Sequence, residues 1–215
     1  MLPGSGEVIS VNVTYLVHEG AWTVDKGRTG IDKRSVSGRV MLAENAVEGD
    51  VVADRKNHGG YDQAAYAYAR EDAQWWEKEL GISIAPGRFG ENLTTGGIDL
   101  NEAVIGERWS IGRAIVEVSQ PRTPCRVFAG FWDRPHLIKE FTDAGRSGAY
   151  LRIIEEGDIG AGDEIVIVGK PSHGITISEL FVARGEERSR IFELLAAPES
   201  SDTVRQWALN ILKKN

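Results

Sequence analysis

The chain has 215 residues, 41% of them hydrophobic and 27% charged, which is enough apolar material for a packed core and excludes intrinsic disorder and a fibrous protein. At roughly 150 residues per domain, that length makes one large domain with a small appendage. Asp+Glu outnumber Lys+Arg by 32 to 25, a formal net charge of -7, which argues against general binding along a phosphate backbone.

Ile9, Val11 and Val13 alternate with Ser10, Asn12 and Thr14, so Glu7–Thr14 is predicted to be a half-buried strand. From Ile31 to Val51, Val36, Val40, Val47 and Val51-Val52 stand among glycines at the spacing of short strands. Ala69, Ala73, Trp76 and Leu80 recur at spacings of 4, 3 and 4, with Glu71 and Asp72 in the first turn and Gly81 after the last. This predicts a helix over Arg70–Leu80, with Trp75 and Trp76 as packing residues. Arg88–Gly97 is predicted to be a polar loop or edge. Val104–Trp109 and Ile111–Val118 are predicted as two strands joined by a turn. Phe141–Ile154 is expected to be helical in part, Gly157–Asp163 a turn and Glu164–Val168 a strand.

After Gly169-Lys170-Pro171 the pattern changes. Thr176 and Glu179 form a capping box before Leu180-Phe181. Ile191, Leu194 and Leu195 mark a second helix over Glu187–Ala196. Val204, Trp207, Ala208, Ile211 and Leu212 share one face of a third, with Ser201 or Asp202 as its N-cap. The expected fold class is therefore mainly β, a barrel of short strands with a few peripheral helices over 1–170, plus a small all-α three-helix unit over 171–215. The 25 glycines, about 12% of the chain against roughly 7% on average, fit the many tight turns of a barrel.

Four places are candidates for chemistry. Pro121 and Pro124 stiffen the backbone before the single cysteine, Cys125, and Arg122 and Arg126 bracket it. Two guanidinium groups beside a thiol favour the thiolate, which suits a nucleophile or a soft-metal ligand; a small buried hydrophobe is the plainer alternative. Among the four histidines, His58 stands out in His58-Gly59-Gly60-Tyr61-Asp62, where glycines let backbone approach a ligand, with Asp62 beside it. Lys26–Arg34 brings Arg28, Thr29, Lys33 and Arg34 together around two glycines, a cluster out of character in an acidic chain and suited to phosphate. Asn92, in Phe89-Gly90-Glu91-Asn92-Leu93, is the fourth. No Walker A loop or zinc signature is present.

Taken together, Pro121-Arg122-Thr123-Pro124-Cys125 after a strand, Phe89-Gly90-Glu91-Asn92-Leu93 upstream and Gly160-x-Gly162-Asp163 before the last strand resemble the MOSC domain, named for the C-terminal domain of molybdenum cofactor sulfurases. Gly27-Arg28-Thr29-Gly30-Ile31-x-Lys33, His58-Gly59-Gly60-x-Asp62-x-Ala64, Tyr68-x-Arg70-Glu71-Asp72 and the helical tail are similar to its YiiM-like bacterial branch. The resemblance implies a β-barrel that binds the molybdenum–molybdopterin cofactor, with Cys125 as ligand of the metal. It implies reduction of N-hydroxylated compounds such as N-hydroxylaminopurines and hydroxylamines, with electrons from a separate flavoprotein or ferredoxin-type donor. Arg28, Thr29, Lys33 and Arg34 would hold the cofactor phosphate, Arg122 and Arg126 would offset negative charge, Asn92 would bond near the metal or pterin, and His58 or Asp62 would move protons.

Two other readings stay open: a module that binds or carries the cofactor without turnover, and a carrier of sulfur as a persulfide on Cys125. A sulfurase would be expected to carry a pyridoxal-phosphate domain, for which these residues leave no room. The first residues lack the features of a signal peptide, no apolar run reaches about 18 residues, and a lone cysteine fits a reducing cytoplasm. Neither nucleic acid nor membrane is an expected partner, and the apolar positions of the tail leave a homodimer open.

Overall fold

In a computed structural model, which describes residues 5–23, 27–53, 59–182 and 195–213, the alternation at Glu7–Thr14 lies within a longer strand, β1 (Ser5–Glu19). Its first residues pair with β11 (Glu164–Gly169), its middle with β6 (Leu93–Gly96), and its second half with β2 (Arg28–Ser35). The remaining strands are β5 (Ala65–Ala69), β7 (Arg108–Ile111), β8 (Ala114–Pro121) and β9 (Ala149–Glu155). The order β11-β7-β8-β9-β5-β6-β1, closed by the β1–β11 pairing, is a seven-stranded barrel with β2 as an extension. The β5–β6 pair is parallel, and the other pairs are antiparallel. Closure leaves no free edge around the ring.

A second sheet, β10-β3-β4, joins Gly157–Gly160, Arg39–Ala43 and Ala46–Val47. The β3–β4 hairpin turns at Glu44 and Asn45, both at positive φ, the two-residue geometry that matches strand twist. Trp109, Leu93, Ile111, Val116, Val118 and Ile165 fill the barrel with almost no exposure.

The helix over Arg70–Leu80, α1, forms as predicted and ends at a left-handed Gly81 whose N–H donates to the Glu77 carbonyl. Trp76 is buried and stacks on Phe141 at 6.1 Å, and Trp75 meets it edge-on at 5.0 Å, so both pack as expected. Together with Tyr68, Phe89 and Phe128 they form an aromatic core outside the barrel, under α1, α2 (Arg126–Phe131) and α3 (Leu137–Ala144).

Several boundaries differ from expectation. Leu93–Gly96 is an interior strand rather than a loop or edge: all four residues are buried, and its polar Thr94 bonds to Asn12 and Glu91. The turn expected near 110 falls at Gly112-Arg113, and Val104 only bridges to Thr176. Within Phe141–Ile154 the helix stops at Ala144, and after a turn over 145–148 the chain enters β9 at Ala149. Gly157–Gly160 is a strand, since it finds β3 as partner, leaving Ala161-Gly162 as the turn. Val36 and Val51-Val52 lie outside strands.

In the tail, α4 (Ile177–Val182) opens with the predicted capping box: the Thr176 N–H donates to Glu179 Oε2 at 2.9 Å and the Glu179 N–H to Thr176 Oγ1 at 3.2 Å. Ile177 and Leu180 belong to the barrel core. The last helix, α5 (Asp202–Lys213), takes Ser201 as N-cap: Ser201 Oγ accepts from the Val204 N–H at 3.1 Å and donates to Gln120 Oε1 of β8 at 3.0 Å. Val204 and Ala208 are buried. The helix predicted over 187–196 lies, apart from its last two residues, outside the described residues, as do the side chains of Trp207, Ile211 and Leu212. Among the described residues no helix is long and apolar enough to cross a membrane.

Candidate functional site

One end of the barrel, between β2, the segment Asp50–Ala53, the turn at Gly59–Ala64 and the segment after β8, encloses a cavity of about 680 Å³. That size suits a small organic ligand. Its floor and mouth carry cations. Lys33 projects from β2 with its side chain 10% exposed, and its Nζ donates to Asp50 Oδ2. Arg122 is buried, lies 4.9 Å from the Tyr66 ring centroid and 4.8 Å from that of Phe128, and donates to the Phe89 carbonyl. Arg28 and Arg126 are exposed and line the cavity nearer solvent.

Asp50 was not singled out from sequence, because an Asp after Gly49 reads as a turn residue. Its Oδ1 accepts from the Thr14 N–H at 3.2 Å and Thr14 Oγ1 at 2.8 Å, and its Oδ2 accepts from Asn92 Nδ2 at 3.0 Å as well as from Lys33. Burial works to raise the Asp50 carboxyl, but the Lys33 charge and these donors outweigh it and hold the group below the usual carboxylate range. Burial pulls the Lys33 ammonium down, Asp50 pulls it back, and Arg122 adds to the lowering. For Arg122 itself burial opposes the charge, yet Tyr66, Tyr150 and Cys125 around it raise its pKa.

Cys125 lines the same cavity, half-buried, at the N-cap position of α2 with an extended backbone. Thr29 and Asn92 line it too, as do Tyr66 and Tyr150. The Asn92 side chain is already committed: Oδ1 accepts from the Tyr66 N–H at 3.1 Å and Nδ2 donates to Asp50 and to the Asn12 carbonyl. It fixes the wall rather than offering a free amide. Gln63 Oε1, also in the wall, is buried with no hydrogen-bond partner among the described residues. Burial raises both tyrosines, so they remain phenols.

Two expected site residues fall elsewhere. Arg34 follows Lys33 on a strand, so it projects from the opposite face; it lies 3.6 Å over the Tyr15 ring and 3.6 Å from Asp32. Asp62 accepts from Arg152 Nε at 2.7 Å and is absorbed in a network with Glu117. His58 lies outside the described residues. Among the described residues no cluster of three His, Cys, Asp or Glu is placed to hold a metal by itself; the thiol on the cavity wall is that of Cys125.

Fold and cavity define a small β-barrel protein with a cationic, thiol-bearing pocket. The MOSC domain matches residues 54–166, and the chain belongs to that family. It is 33% identical over 155 residues to protein YiiM of Escherichia coli (strain K12), covering 70% of this chain and 68% of that one. The crystal structure of YiiM from Geobacillus stearothermophilus superposes with a TM-score of 0.78 at 27% identity, covering 95% of this chain and 98% of the other. A protein named reductase from Gibberella moniliformis (strain M3125 / FGSC 7600) is 29% identical over 166 residues, 73% of this chain but only 29% of that protein.

Proposed function

We propose that the protein is a molybdenum-cofactor-dependent reductase of N-hydroxylated compounds, N-hydroxylaminopurine-type base analogues and hydroxylamines among them. The observation that carries this reading is the presence of Cys125, Lys33 and Arg122 around one cavity of a MOSC barrel. Membership of the family and similarity to a protein named reductase support it.

The residues fit the cofactor. A thiolate is a soft ligand suited to molybdenum that also takes sulfur from a pterin. Lys33 and Arg122, with Thr29 beside them, suit the anionic phosphate, and Arg28 and Arg126 add positive potential at the mouth. The orphan Gln63 oxygen suits an N–H donor of a pterin ring. When bound, the cofactor supplies the two-electron chemistry, with R–NHOH, two electrons and two protons giving R–NH2 and water. A separate flavoprotein or ferredoxin-type donor supplies the electrons. This chain positions the group, excludes water and brings protons. Tyr150, a phenol on the cavity wall, takes the proton-donor role that Asp62 cannot fill while it holds Arg152.

The test is the molybdenum and pterin content of protein purified from a cofactor-competent host, beside Cys125→Ala. One metal and one pterin per chain in the parent, with metal lost in the variant, supports the ligand role. Reduction of an N-hydroxylated purine with a reduced dye then follows in the parent alone. Absence of both metal and pterin from the parent refutes the reading and leaves Cys125 as a sulfur-handling thiol.

A further inference from the structure

We propose that Asp50 is a positioning residue that keeps Lys33 charged and fixed as the deep anion anchor of the cavity, paired with Arg122. This rests on the reading of the cavity as the seat of an anionic ligand, and it goes further by dividing the cations into two tiers and giving the deep tier its own support.

The geometry separates the two tiers. Arg28 is 61% exposed in its side chain, and its ion-pair partner among the described residues is Glu19 at 3.5 Å. Its charge is screened by water and salt. Lys33 is enclosed, and an ammonium carried into a protein interior loses its proton readily unless something holds it. Among the described residues four groups bear on it. Asp50, from the segment after β4, is its ion-pair partner. Arg122, from the end of β8, repels it. Glu91, before β6, is near enough to favour its charge, but its carboxylate is taken up by the Gly87 and Phe89 N–H groups and by Thr94. Thr14 of β1, the register partner of Lys33, grips Asp50 rather than Lys33.

Asp50 is therefore the group that stabilises the Lys33 charge directly. With Thr14, Asn92 and Lys33 all donating to it, its oxygens are saturated and cannot compete for a ligand's donors. An ammonium has three N–H donors. Asp50 occupies one, which leaves donors on Lys33 for an oxyanion in the cavity.

This assigns a sign opposite to simple electrostatics. Deleting a carboxylate beside an anion site should tighten anion binding at every pH. If Asp50 holds the Lys33 charge, deleting it should weaken binding once pH rises above the undefended Lys33 pKa. Sulfate is the probe, because it remains a dianion between pH 6 and 8. Calorimetric titration is made on the full chain produced in a host unable to make the molybdenum cofactor. The parent binds sulfate at both pH values. Lys33→Met weakens binding on the order of tenfold at both, and Arg28→Met by less than about threefold. Asp50→Asn binds within about threefold of the parent at pH 6 and on the order of tenfold more weakly at pH 8. Asp50→Asn/Lys33→Arg regains binding at pH 8, since a guanidinium needs no partner to stay charged.

Binding by Asp50→Asn at pH 8 as tight as the parent's overturns the proposal, and so does a parent with no affinity for sulfate. Should Asp50→Asn fail to fold, the Lys33 Cε resonance of the parent, assigned through Lys33→Arg, gives the answer. A titration midpoint above pH 7 supports the proposal and one below pH 7 overturns it. Neither measurement involves Cys125, metal or pterin, so Asp50-dependent binding in a protein that never acquires molybdenum would sink the reductase reading alone. A cofactor-loaded protein indifferent to Asp50 would sink this inference alone.

Discussion

Arg152 of β9 is the residue through which the barrel, the turn beside the cavity and the C-terminal segment meet. Its Nη1 donates to Glu117 Oε1 at 2.5 Å and to the Glu199 carbonyl at 2.9 Å, and its Nε donates to Asp62 Oδ1 at 2.7 Å. The Arg152 and Glu117 side chains are only 6% and 5% exposed, so water cannot replace the lost partner. Arg152→Met keeps the length of the stem and strands the Glu117 charge. Breaking a buried pair from one side costs about 3–5 kcal/mol. Glu117 retains Arg108 Nε at 2.8 Å, but that side chain is 52% exposed and its hold is screened, which sets the cost near the low end, about 3 kcal/mol. Asp62 is more open and adds little. For a chain of this length such a loss lowers Tm by about 6–12 °C. The assay is thermal and urea unfolding followed by tryptophan fluorescence, on Arg152→Met, Glu117→Gln and the double variant. The double variant should be less destabilised than the two single effects added together, because neutralising Glu117 removes the stranded charge. A single-variant Tm within about 2 °C of the parent, or strict additivity, would refute the account of Arg152 as the buried hub.

Glu179→Ala, which removes one half of the capping box at Thr176, should cost about 1 kcal/mol in urea unfolding, and an unchanged midpoint would count against the cap. Because Asp50 is held below the usual carboxylate range in the folded chain, its stabilisation is complete above the unfolded pKa of about 3.9 and is lost as pH falls through the lower folded value. The stability gap between parent and Asp50→Asn should therefore shrink between pH 5 and pH 2, and a gap constant over that range would contradict the assignment. Gly30→Ala places a Cβ 2.3 Å from the Val51 carbonyl oxygen and 2.8 Å from Thr14 Oγ1, so it should push the Asp50 segment off β2 and weaken sulfate binding on the order of tenfold without altering a charge. Binding equal to the parent's would show that the spacing of these two segments is not critical.

What could be read from the sequence depended on how each element meets its surroundings. β1 showed itself through alternation, and α1 through its spacing, first-turn acids and Gly81. β6 did not, because both its faces are covered and its threonines find buried partners, so polarity misled. β9 buries Arg152 on the face opposite Leu151 and Ile153, beneath the C-terminal segment, which no burial pattern anticipates until Glu117 and Asp62 are known to wait for it. At the site, Cys125 and the basic cluster stood out because such charge is unusual in an acidic chain. Arg34 was grouped with Lys33 because β2 was not recognised as a strand; once it is, adjacent residues must face opposite ways. Asp50 left no local signal, since its partners lie 17, 36 and 42 residues away.

An acidic protein with a cationic cavity has to solve two problems at once: cations must be brought together against their own repulsion, and the surplus carboxylates must be kept from filling the space meant for a ligand. The arrangement of acids around the barrel answers both. Asp158 and Asp163 hold Arg39, Glu77 holds Arg70, and the buried Asp72 holds Arg146, all by ion pairs away from the cavity. Of the two buried acids beside Lys33, Glu91 is occupied by backbone N–H groups and Asp50 by four donors. Glu91 does not line the cavity, and Asp50, which does, has its oxygens taken up. Arg122 completes the floor with a guanidinium set near two aromatic rings and anchored to a backbone carbonyl, with no carboxylate paired to it among the described residues. A cationic cavity is thus compatible with a net charge of -7, because among the described residues four cations, Arg28, Lys33, Arg122 and Arg126, and one carboxylate, Asp50, line it, while the surplus acids lie elsewhere.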